Sequence, residues 1–347
     1  MKVHTLCVTA LIASVAQAAP EYSPHAGETL PNRVLFGDTH LHTSYSTDAG
    51  MIGNRLGPEE ALRFAKGEEV ISSMGVKAKL ARPLDFLVIS DHAENLGLAP
   101  ALVEQNADLL ATDFGKQLAD RLAAKDAGGA FWLWLTAMNA QKDPLVGMSF
   151  AKNMWQRLTT AVEKHNQPGR FTALIGYEWT AGPGGNNLHR NVIFRDGKDK
   201  ADQIVPFSQY DSNDAEDLWR WLANYESNTG GKVLAIAHNG NLSNGLMFDD
   251  VTVTSRKPLD KDYAERRRRW EPIYEVTQIK GDGEAHPLLS PSDEFANFEK
   301  MDKASLGGNE PKTPDMLPRE YAREALKRGL AYEAKIGRAS CRERVWR

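Results

Sequence analysis

Two histidines one residue apart, His40 and His42, close the run Val34-Leu35-Phe36-Gly37-Asp38-Thr39-His40-Leu41-His42. Side chains alternate along a strand with period two, so a strand ending there turns both imidazoles to one face. Two neutral nitrogens on one rigid edge make half of a site for zinc, manganese or iron. More donors follow other apolar runs: Asp91 and His92 after Phe86–Ser90, Glu178 after Ala173–Tyr177, and His238 and Asn239 after Val233–Ala237. His189 stands immediately before Arg190–Phe194. Five of the nine histidines therefore fall at strand ends or their loops, together with Glu178 and Asp48. One buried histidine is ordinary packing; five gathered this way point to a metal centre.

The elements that must carry these residues alternate. Strands are expected at Val34–Thr39, Asp85–Ser90, Phe171–Glu178, Arg190–Phe194, Lys232–Ala237 and Ile273–Ile279, each apolar nearly throughout, as strands covered on both faces are. Helices are expected at Pro58–Lys66, Leu102–Ala124, Phe131–Asn139, Phe150–His165 and Ala215–Glu226, the last with an apolar stripe of Leu218, Trp219, Leu222 and Tyr225. Strand–helix alternation predicts an α/β fold on a parallel sheet, open or closed into a barrel, with its site at the carboxyl ends of the strands.

Both ends of the chain read differently from its middle. Met1-Lys2, the apolar stretch Leu6–Val15 and Ala16-Gln17-Ala18 have the order of a secretory signal peptide, cleaved after Ala18, which places the protein in the periplasm or outside the cell. Residues 336–347 carry no pattern and, back-translated, match a sequencing-library adapter read in frame. The expected organisation is thus a leader at 1–18, one large domain at 19–335, truncated, and an artefactual tail at 336–347. Setting aside Lys2 (+1) and the tail's +3 (four Arg, one Glu) takes the formal charge from −4 to −8, which argues against stable nucleic-acid binding. The two cysteines, Cys7 and Cys341, lie in the leader and the tail, so any metal must be held by histidines and carboxylates. No later stretch is long and apolar enough to insert in a membrane.

The order His40-Leu41-His42, Asp91-His92, Gly176-Tyr177-Glu178, His189 and Ala237-His238-Asn239 resembles the PHP superfamily, named for polymerase and histidinol phosphatase, in particular its exported branch, domain of unknown function family 3604. That resemblance spans about Val34 to Glu333 and implies a distorted (βα)7 barrel around two or three divalent ions (Zn, Mn or Fe). It implies that His40, His42 and Glu178 hold one ion, that Glu178 bridges to a second held by His189 and His238, and that Asp48 and His92 hold a third. The family's final Asp-x-His is missing, so the barrel is expected to be incomplete at its C-terminus.

Such a centre implies a hydrolase acting through a metal-bound hydroxide on a small phosphorylated substrate. Asp38 and Asp91 either orient ligand imidazoles or cap strand ends. Arg190, Asn239 and Lys280 lie where a substrate anion could be neutralised. Two other readings stay open: a metal-dependent hydrolase of C–N or C–O bonds, and a non-catalytic periplasmic metal-binding protein.

Overall fold

A computed structural model describes residues 33–308 and 310–336, and the backbone of 344–346. The leader expected at 1–18 and residues 337–343 lie outside the described residues.

Six strands form a curled, half-barrel sheet: β1 (Gly37–Leu41), β2 (Phe86–Ile89), β3 (Thr172–Trp179), β4 (Arg190–Phe194), β5 (Val233–Ala237) and β6 (Ile273–Glu275), paired in that order. Pairing is parallel from β1 to β3 and from β5 to β6. It is antiparallel on both sides of β4, so the sheet is mixed where an all-parallel one was expected. The reason is the short 180–189 connection: a parallel return needs a crossover of about a dozen residues or more, usually an α-helix, and this loop holds only the 3-10 turn Pro183–Gly185. The reversal serves the site, because β4 begins at the rim where its neighbours end, and His189 enters from that rim.

Period two sorts the side chains. On the outer face Leu87, Ile89, Ala173, Ile175, Tyr177, Val192, Phe194, Val233 and Ala235 join one core with Leu62, Trp155, Leu158, Trp219 and Leu222 of the covering helices. On the inner face Val88, Ile193 and Ile236 pack with Leu174, Leu234 and Ile273 in a small apolar layer. Two residues further toward the rim from Ile236 and Ile273, the same inner face carries His238 and Glu275. Gly176 lets the sheet close beneath the rim, since a Cβ there would stand 2.5 Å from Val88 Cγ1 and 2.9 Å from the Val192 carbonyl oxygen.

Helices Pro58–Ala65, Phe150–His165 and Ala215–Thr229 form close to where the pattern places them, the last ending at Gly230 with φ +66°. The long helix expected at Leu102–Ala124 is instead three pieces, Leu98–Val103, Ala107–Ala111 and Asp113–Ala123. Asn106 and Thr112 divide it, their side chains accepting from Leu109 N and Gly115 N as N-caps, a local bond that competes with helix continuation. The strand expected at Ile273–Ile279 stops at Glu275; Thr277–Gln278 then pairs with Gly281–Asp282 in a hairpin over the rim.

Ile336 ends the helix Ala322–Ile336, and Arg344–Trp346 (β7) pairs in parallel with β6. An edge strand presents a row of unpaired backbone donors and acceptors, and a β-prone tripeptide with Val and Trp suits it. Among the described residues, no helix is long and apolar enough to cross a membrane.

Candidate metal centre

Glu178 ends the inner face of β3 fully buried, and five imidazoles surround its carboxylate. Oε2 lies 3.3 Å from His40 Nε2, 2.7 Å from His42 Nε2 and 3.6 Å from His92 Nδ1. Oε1 lies 2.6 Å from His189 Nδ1 and 3.0 Å from His238 Nε2. The two oxygens thus divide the histidines between them, as a carboxylate bridging two cations does. Asp48 extends the cluster, 3.1 Å from His42 Nδ1 and 3.3 Å from His92 Nε2. On the opposite side Glu275 Oε2 lies 3.0 Å from His40 Nδ1.

Four overlapping sets could each hold an ion: His40, His42 and Glu178; His40, His238 and Glu275; His42, Asp48 and His92; and His92, Glu178 and His189. Around Glu178 the separations run from 2.6 to 3.6 Å, and those of His40 and His92 match the roughly 3.3–3.6 Å between ligands of a tetrahedral zinc with bonds of about 2.0–2.2 Å. Two buried nitrogens, His42 Nε2 and His238 Nδ1, have no hydrogen-bond partner among the described residues. His42 Nε2 is the telling one: it sits 2.7 Å from Glu178 Oε2, yet out of line for a hydrogen bond. Buried polar atoms are almost always partnered, and a nitrogen beside a carboxylate but misaligned with it suits a shared cation.

The electrostatics agree. Burial alone would push the Glu178 carboxyl up, but the imidazoles of His92, His238 and His42 and the bond to His189 hold it well below the ordinary carboxylate range. Burial would lower His40 and His42, yet the carboxylates beside them prevail and raise the two rings to about 9 and about 10. His189 and His238, more deeply enclosed, move the other way, His189 to about 4 and His238 well below its usual value. Two neutral imidazoles therefore face Glu178 Oε1, and two protonated ones stand at Oε2 where a cation would replace their protons.

Every expected ligand (His40, His42, Asp48, His92, Glu178, His189 and His238) converges on this one cluster. The grouping differs from the expected one in that His238 shares a set with His40 and Glu275, and His92 joins Glu178 and His189. Asp38 and Asp91 take the capping role. Asp38 Oδ1 accepts from the His40 backbone N–H at 2.8 Å, and Asp91 accepts from the Thr43 N–H and hydroxyl at 2.5 and 2.7 Å. Among the described residues neither carboxylate bonds an imidazole; a short side chain satisfies nearby backbone first. The imidazole partners are instead Glu275, Asp48 and Thr180, whose hydroxyl lies 2.5 Å from His92 Nδ1.

The three residues expected to meet a substrate anion separate. Arg190 is buried, with Nε 3.0 Å from Glu271 Oε1, Nη1 donating to the Leu188 carbonyl, and the guanidinium over the Trp179 ring. It is committed to the fold rather than to a ligand. Asn239 is buried too, in the left-handed region with φ +51°, and bonds Gln278 and Asn241. Lys280 lines a cavity of about 580 Å³ together with His40, His42, Asp48, Glu275 and Gln278. His286, outside the cluster, is buried and bonded to Asp302 at 2.8 Å.

Sequence reasoning passed over Glu275 and Thr180. A usable signal for Glu275 was present, because Ile273-Tyr274-Glu275 repeats the inner-face pattern of Ile236-Ala237-His238. For Thr180 there was none.

A mixed α/β chain whose curled sheet gathers five histidines and three carboxylates at one rim is thereby defined as a candidate metal-binding protein. A family model described as "Protein of unknown function (DUF3604)" matches residues 29–340, and the chain belongs to that family. No curated protein and no solved structure matches it.

Proposed function

We propose that this protein is an exported metal-dependent hydrolase of the PHP type, acting on small phosphoric esters. The observation that carries the reading is the division of labour at Glu178: one carboxylate oxygen faces His40, His42 and His92, the other His189 and His238. Divalent ions held there (two or three, as Zn, Mn or Fe) supply Lewis acidity toward a phosphoryl oxygen and bring the pKa of water toward neutrality. In this reading the substrate lies in the cavity beside the cluster. The cavity opens onto His40 and His42 on one side, while the hairpin carrying Lys280 walls the other. Lys280 has no carboxylate partner among the described residues, so its charge is available to a phosphate oxygen. A cavity of this volume beside the donors also favours catalysis over storage, which needs no room for a second molecule.

The test is a panel of 4-nitrophenyl phosphate, bis(4-nitrophenyl) phosphate, 4-nitrophenyl acetate and an anilide, assayed after chelation and reloading with Zn, Mn or Fe. The proposal expects chelator-sensitive release from a phosphate ester exceeding that from the carbon esters and amides. Preference for the acetate or anilide would move the activity to C–O or C–N bonds. Metal uptake with no hydrolysis in the panel would leave a metal-binding protein.

A further inference from the structure

His40 lies between two carboxylates. Its Nε2 faces Glu178 Oε2 at 3.3 Å, and its Nδ1 faces Glu275, 3.2 Å from Oε1 and 3.0 Å from Oε2. A neutral imidazole offers a lone pair from one nitrogen and an N–H from the other. The ring can therefore ligate beside Glu178 and donate to Glu275, or ligate beside Glu275 and donate to Glu178.

His42 decides between them. It repeats the first arrangement, with Nε2 at Glu178 Oε2 and Nδ1 within 3.1 Å of both oxygens of Asp48. If both rings turn Nε2 inward, Glu178 Oε2 and two nitrogens meet at one ion. If His40 were reversed, its N–H would occupy the oxygen that His42 needs as co-ligand. Glu275 is also the more accessible of the two carboxylates, on the cavity wall rather than fully buried, which suits an acceptor outside the ion's immediate shell.

We propose that Glu275 is a positioning residue: it accepts the Nδ1–H of His40 and fixes the tautomer that aims the Nε2 lone pair at the ion held by Glu178. A carboxylate holding the far nitrogen of a ligand histidine is a recurrent device of metal sites. The proposal rests on the metal-binding part of the function proposed above and is independent of the substrate.

The experiment uses zinc as probe and protein labelled with 15N in its histidines. In zinc-loaded wild type, long-range 1H–15N correlation should show His40 protonated at Nδ1 and metal-bound at Nε2. Glu275→Ala should weaken zinc binding by about 10- to 100-fold, with the same number of ions at saturation. Glu275→Gln, which keeps an acceptor oxygen and covers the case of an unstable alanine variant, should recover part of that loss. Zinc on Nδ1, or fewer ions at saturation in both variants, would make Glu275 a direct ligand and overturn the proposal. Unchanged affinity in both variants would overturn it as well. Failure of wild type to bind zinc at all would instead refute the metal centre, and is seen before any variant is made.

Discussion

His189 and Arg190 are adjacent in sequence, and each belongs to a buried charged cluster. The clusters differ in how completely they satisfy themselves. Around Arg190 the contacts close: Nε and Nη2 reach Glu271, Nη1 reaches the Leu188 carbonyl, and Trp219 Nε1 donates to Glu271 at 2.8 Å. Around His189 they do not. Five imidazoles share one carboxylate, and two nitrogens have no hydrogen-bond partner among the described residues. A buried charge that is matched on every side maintains a fold, whereas one crowded by donors of its own kind is arranged for something further.

Breaking each cluster should separate these roles. The largest effect is expected at Glu178→Gln, which removes the charge common to both halves of the centre. Turnover should fall by orders of magnitude and bound metal by at least one ion, as read by elemental analysis. Retained stoichiometry would show that Glu178 does not bridge. His42→Ala should also lose an ion and most activity, with circular dichroism unchanged, because rim ligands contribute little to packing. Arg190→Ala should act in reverse: it removes one of the two guanidiniums beside Glu271, leaving Arg267 Nε 3.3 Å away, and costs about 1–3 kcal/mol of stability by denaturant unfolding. Metal content per folded molecule should stay as in wild type.

These contrasts also show what could be read from residues alone. The strand-end positions of His40, His42, Glu178, His189 and His238 were legible because period two and apolar flanks determine which face a residue occupies. Arg190 was misjudged for the same reason that His189 was found. Both stand at the start of β4, but successive residues point to opposite faces, so Arg190 turns to the outer core and Trp179 while His189 turns inward. The antiparallel direction of β4 depended on a connection too short for a crossover. The break in Leu102–Ala124 depended on Asn106 and Thr112 capping, which an apolar period does not reveal. Glu275 was hidden in a strand drawn four residues too long.

A smaller effect concerns pH. His40 and His42 titrate near 9 and 10 in the metal-free fold, above the ordinary 6.5. Their ion pairs therefore stabilise the metal-free protein fully below about pH 6.5, and that contribution is lost as pH rises through 9 and 10. Metal must displace the same protons, so its affinity rises over this range. Thermal melts with and without Mn between pH 6 and 8.5 should show the metal-induced rise in Tm growing with pH; a constant or shrinking rise would contradict the assignment. The smallest effect is expected at Lys280→Ala, a several-fold increase in KM for a phosphate ester with kcat and metal content nearly unchanged. A matching loss of kcat would instead place Lys280 in the chemical step.

Anomalous diffraction from crystals grown with Zn or Mn shows whether Glu178 sits between cations. A peak is expected about 2.0–2.2 Å from Glu178 Oε2 and the Nε2 atoms of His40 and His42. A second is expected on the Oε1 side, at His189 Nδ1 and His238 Nε2. A cluster without anomalous density in metal-replete crystals, or an ion bound only away from Glu178, would contradict a bridging Glu178.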